Sequence, residues 1–91
     1  MQLHADVNDL AAAMRQLEGH LRDCRQTGWA NSVGRAAELV ERGEAQGLYL
    51  FERMFGGMGS LNDLGLGARF DELRERAFEL AQTVRRSHLR V

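Results

Sequence analysis

The chain has 91 residues, a net charge of −1 and no proline, which suits one domain that hides about 60–65% of its unfolded surface on folding. Near-neutral charge excludes the electrostatic footprint of a typical nucleic-acid binder, and no apolar run approaches the roughly 18–20 residues of a membrane span. A lone cysteine without an intrachain disulfide partner, and an N-terminus with no secretory pattern, favour a cytoplasmic protein. Every one of the twelve basic residues is Arg, a bias that mainly reflects coding composition and lends itself to bidentate contacts.

Apolar residues recur at steps of three and four through Leu3, Val7, Leu10, Met14, Leu17, Leu21 and Cys24, the stripe of an amphipathic helix. This places Cys24 inward as a small buried hydrophobe. Thr27-Gly28 breaks the pattern, and Trp29, Val33, Ala36, Ala37 and Val40 resume it as a second helix ending at Gly43, a residue that accepts the left-handed conformation beyond a helix end. A short third helix carries Leu48, Phe51, Met54 and Phe55 on one side and stops at Gly56-Gly57. Five glycines between Gly56 and Gly67 form a structured loop or a pair of turns. The fourth helix spans about residues 69–87, with Phe70, Leu73, Ala77, Leu80 and Val84 inward, Asp71, Glu72 and Glu75 at its start, and Arg85, Arg86 and His88 at its end, as the helix dipole favours. Arg90 adds to a basic C-terminus.

The expected fold is therefore all-α: a compact four-helix bundle in one domain over residues 1–91, with two long helices, two short ones and a glycine-rich loop before the last. Gly19 and Gly34, inside helices, suggest close approach of a neighbouring helix or of a ring such as Trp29.

Nothing in the sequence announces catalysis, a cofactor or a metal. His20 and Cys24 stand one helical turn apart, but two ligands without further Cys or His nearby make no zinc site. Glu72, Glu75 and Glu79 lie beside Arg69, Arg74 and Arg76 and read as a solvated, charge-laced face. The glycines follow a helix instead of opening one, and no lysine is present, unlike a phosphate-binding loop. The third helix offers one base, Arg53, among Leu48, Tyr49, Leu50, Phe51 and Phe55, which is unsuited to reading base edges. The chain is thus expected to act by binding, with no enzymatic activity and neither nucleic acid nor membrane as partner.

The segment Phe55-Gly56-Gly57-Met58-Gly59-Ser60-Leu61-Asn62-Asp63-Leu64 resembles a motif, F-G-G-M-G-S-[FL]-N-D-L, that lies between two helices in a family of short bacterial proteins. The likeness extends roughly from Trp29 to Leu80 and includes the Arg42-Gly43-Glu44 step before the third helix. Members often continue past the motif with a strand-like stretch, whereas Leu64-Gly65-Leu66-Gly67 is broken by glycine. Such proteins resemble immunity proteins encoded beside polymorphic toxins, including Rhs-type toxins. The resemblance implies a cytoplasmic protein that forms a heterodimer with its cognate toxin and covers the toxin's active site.

Two surfaces are candidates for that partner. Glu38, Glu41, Glu44 and Glu52 form an acidic set around the second and third helices that would complement a basic cleft. The loop offers Met58, Ser60, Asn62 and Asp63, although Ser60 and Asp63 also have the spacing of a helix-capping pair. The alternative is a helical adaptor or regulator that associates with itself as a homodimer.

Overall fold

The structure, a computed structural model, describes residues 4–88, and for His88 the backbone alone. Its elements are helices α1 (Ala5–Asp23), α2 (Thr27–Glu41), α3 (Ala45–Glu52) and α4 (Ala68–His88), with a 3-10 turn at Leu61–Asp63. No strand occurs among the described residues, so the glycine-broken stretch after the motif stays irregular.

The stripe of α1 buries Leu10, Met14, Leu17 and Leu21 completely, with Ala11 and Ala13 beside them. Leu3, the first residue expected in that stripe, lies outside the described residues, as does Arg90. His4 caps the helix, its Nδ1 accepting the Asp6 N–H at 3.1 Å. Cys24 departs from expectation. It sits one residue past α1 and is half-buried, because the chain is already turning there.

That turn comes earlier than the Thr27-Gly28 break. Arg25 adopts a left-handed φ of 62°, its N–H donates to Arg22 O at 3.0 Å, and the Gln26 N–H donates to Leu21 O at 2.8 Å. This pair of bonds is a Schellman ending. Thr27 and Gly28 instead form the first turn of α2.

The same ending closes α2, here with the expected glycine: Gly43 has φ 77°, its N–H donates to Val40 O at 2.9 Å, and the Glu44 N–H donates to Leu39 O at 2.9 Å. Because this turn is so short, α3 folds directly back on α2. Gly47 makes the fit possible. A Cβ there would lie 2.7 Å from both Ala36 O and Val40 N and 2.8 Å from Leu39 Cβ, so only glycine lets the two backbones approach this closely.

Gly34 also lies against a neighbour, since a Cβ would come within 2.4 Å of Glu18 Oε2. The neighbour is a carboxylate on α1, not a ring. Gly19 faces open space, so no close approach explains it.

Helix α1 packs on α2 and on α4, and α3 packs mainly on α2. Phe51 and Phe70 are fully buried among the leucines where these faces meet. Phe55 joins α3 to α4: its ring meets Phe51 edge-on at 5.0 Å and Phe78 at 4.7 Å. On α4, Phe70, Leu73, Ala77, Ala81 and Val84 are buried, while Leu80 and Phe78 stay half-exposed.

Candidate partner-binding surface

The acidic set is largely spoken for by arginines. Glu41 receives two bonds from Arg15 on α1, from Nε at 2.9 Å and from Nη2 at 2.7 Å. The same guanidinium donates to Glu18 at 2.9 Å, and Glu18 also accepts from Arg22 at 3.1 Å. Arg15 holds the Glu41 carboxyl below its ordinary range, chiefly through their hydrogen bonds. Glu38 pairs with Arg42 at 2.7 Å one turn along α2. Glu52, on α3, is bonded by Arg85 from α4 and is mostly shielded from solvent. Glu44 alone of the four has no ion pair among the described residues. The set therefore projects much less negative field than its sequence suggests, because each guanidinium screens a carboxylate within hydrogen-bond distance.

The glycine loop is built from the inside. Leu61 is fully buried, and its N–H donates to Met54 O at 2.8 Å. Ser60 is also buried, its Oγ accepting the Asn62 N–H at 3.3 Å. Asp63 Oδ2 accepts the Gly59 N–H at 2.6 Å. Ser60 is thus an internal cap, the second of its two expected roles: the hydroxyl satisfies the start of the 3-10 turn. Gly56, Gly57 and Gly59 all take positive φ, between 75° and 85°, which turns the backbone sharply outward. Met58 rides on the result and is 99% exposed. Asn62 and Asp63 are exposed as well. Asn62 edges a small cleft of about 210 Å³ with Phe55, Arg74, Glu75 and Phe78.

A second concavity was not singled out by sequence reasoning. Between α2 and α3 runs a half-open groove of about 460 Å³ lined by Ser32, Arg35, Leu39, Gln46, Leu50 and Met54. Its residues follow helical spacing along α2 and along α3 with the turn that follows it, so neither stripe is conspicuous alone; the close contact at Gly47 brings them together. Leu39, Leu50 and Met54 are half-buried, and Ser32, Arg35 and Gln46 are exposed around them. Tyr49, 42% exposed on α3, lies 5.9 Å beneath the Arg85 guanidinium.

Cys24 Sγ is 3.7 Å from His20 Nε2, and among the described residues no group of three or more His, Cys, Asp or Glu side chains could hold a metal. Arg69 pairs with Glu72 at 3.5 Å, and Arg74 with Asp71 at 3.1 Å and Glu75 at 3.6 Å, the charge-laced helix face expected from sequence. Among the described residues no helix is long and apolar enough to cross a membrane.

The fold is thus an all-α, four-helix domain with surface loops and grooves as its distinctive features. The family described as Domain of unknown function (DUF6966) matches residues 22–73, and the chain belongs to that family. The matched span opens at the end of α1, contains all of α2, α3 and the glycine loop, and closes in the second turn of α4. All eight candidate contact residues and the α2–α3 groove fall inside it. No curated protein and no solved structure matches the chain.

Proposed function

We propose that this chain is an immunity protein: it binds a cognate secreted bacterial toxin in the cytoplasm and neutralises it by covering the active site, without catalysis or a cofactor. The observation that carries the reading is Met58. A methionine left almost wholly in water contributes nothing to the fold, yet the loop beneath it is closed by Asp63, capped by Ser60 and anchored through Leu61. A long, polarizable side chain held at a pinned backbone tip is well suited to enter a pocket on another protein, with little backbone ordering cost on binding. Asn62 and Asp63 stand beside it to supply polar contacts. The acidic set has a smaller part in this reading, through Glu44 above all.

Self-association is the weaker alternative. Among the described residues Met58 and Tyr49 are the exposed large hydrophobic ones, whereas a stable dimer interface normally buries well over about 1,000 Å² around an apolar centre.

The test is co-expression of the chain with the toxin domain encoded beside it. Growth should be rescued, and the two proteins should elute as a one-to-one complex. Met58→Ala should leave the melting temperature unchanged and weaken the complex by at least about 1 kcal/mol. Lack of rescue, together with a homodimer in sedimentation, would establish the adaptor reading instead.

A further inference from the structure

We infer that the groove between α2 and α3 seats an acidic, amphipathic segment of a protein partner. This rests on the preceding reading only in that the chain binds a protein; it does not require that protein to be a toxin.

The groove has an apolar floor, Leu39, Leu50 and Met54, and a rim that carries positive charge without a counterion. Arg35 lines it and has no ion pair among the described residues, and no carboxylate lines it. Arg53 follows Gln46 and Leu50 at helical spacing on the same side of α3 and is likewise exposed and unpaired among the described residues. Arg15, Arg22, Arg42, Arg69, Arg74 and Arg85 each sit against a carboxylate; Arg25, Arg76 and Arg86 are unpaired among the described residues as well, but none of these three lines the groove. An uncompensated guanidinium lining an apolar floor, with Arg53 next along the same side of α3, selects a ligand with the complementary pattern: apolar anchors flanked by Asp or Glu. A helix laid in a groove presents that pattern at positions i, i+3, i+4 and i+7.

Other occupants fit less well. A second copy meeting groove to groove about a two-fold axis would set Arg35 close to its own counterpart. A nucleic acid would need many more cations than two and no leucine floor. A small anion would find a single lining guanidinium at an open site.

Two synthetic helical peptides of about 14 residues test the inference, sharing Leu at i, i+3, i+4 and i+7 and differing only in Glu or Lys flanks. Each is titrated into the full chain while amide and methyl resonances are followed. The Glu peptide should shift Leu39, Leu50 and Met54 saturably and bind about fivefold or more tighter than the Lys peptide at low ionic strength, with the advantage shrinking as salt screens it. Arg35→Glu, an exposed change that should leave the melting temperature intact, should abolish the preference. Gln46→Glu should weaken the Glu peptide in the same direction. Equal or tighter binding of the Lys peptide, or shifts located away from the groove, would overturn the inference. Groove resonances that move with protein concentration alone would overturn it in favour of a second copy. Growth rescue in the absence of peptide binding would sink the groove and spare the toxin reading; peptide binding in the absence of rescue would do the reverse.

Discussion

Replacing Gly47 with Ala tests the contact that creates the groove. The added Cβ would meet Ala36 O and Val40 N at 2.7 Å, and ordinary contact would require it to retreat by about 0.7 Å. Neither obstacle can rotate away, because both are backbone atoms of α2. Helix α3 must therefore lift, loosening Leu48 and Phe51, which are buried on its inner face. Overpacking of this kind costs about 1–3 kcal/mol. The helix propensity of Ala returns at most about 1 kcal/mol, and less at the third position of a helix. A net loss of about 0.5–2.5 kcal/mol lowers the melting temperature of a domain this size by about 2–20 °C. Gly19→Ala is the internal control: nothing lies within 4 Å of its Cβ position, so the same change should raise the melting temperature by a few degrees. Thermal denaturation followed by circular dichroism measures both. If Gly47→Ala matched or exceeded the parent while Gly19→Ala behaved as expected, the close packing of α3 on α2 would be refuted, and with it the geometry of the groove.

Arg25→Gly should stabilise the chain by about 0.5–1 kcal/mol, because an exposed non-glycine residue at φ 62° carries strain that glycine relieves; a lower midpoint in urea would show that the Arg25 side chain contributes more than its strain costs. The bridge from Arg15 to Glu41 should confer a modest pH dependence. Arg15 depresses the folded-state pKa of Glu41 below its ordinary 4.5, so the unfolded chain binds the proton more readily. The stabilisation is then complete above about pH 4.5 and is lost as pH falls through the depressed value. Both side chains are about two-fifths exposed, which limits the contribution to roughly 1 kcal/mol or less, and Arg15→Ala should flatten that part of the stability curve. Asp63→Ala removes the acceptor of the Gly59 N–H and should cost about 0.5–1.5 kcal/mol while speeding limited proteolysis between Gly56 and Gly59. Cys24, half-buried, should react with a thiol reagent in the native state more slowly than a free peptide but on an observable timescale; complete protection would place it deeper than the structure does.

Much of the bundle is legible along the chain because helices announce themselves locally. The stripes of α1, α2 and α4 identify Leu10, Met14, Val33, Phe70 and Ala77 as core, and all five are buried. Gly43 marks the end of α2, since the left-handed turn there is cheap only for glycine. The spacing of Ser60 and Asp63 reveals a cap, although the carboxylate reaches the N–H of Gly59, one residue before the usual place.

What required the tertiary structure is whatever depends on two segments meeting. The end of α1 at Arg25 is silent in sequence because an arginine carries the turn, tolerated where Arg22 O and Leu21 O are both satisfied. Glu41 and Glu52 look free in one dimension and are paired in three: Arg15 reaches Glu41 across 26 positions, and Arg85 reaches Glu52 across 33. Gly47 reads as a flaw within a short helix until Ala36 and Val40 are seen against it. Helical periodicity says which face of each segment avoids water, a property of single segments. Which charges are neutralised, which glycine is indispensable and where a groove opens depend on distances between segments, and those exist only after the faces have packed.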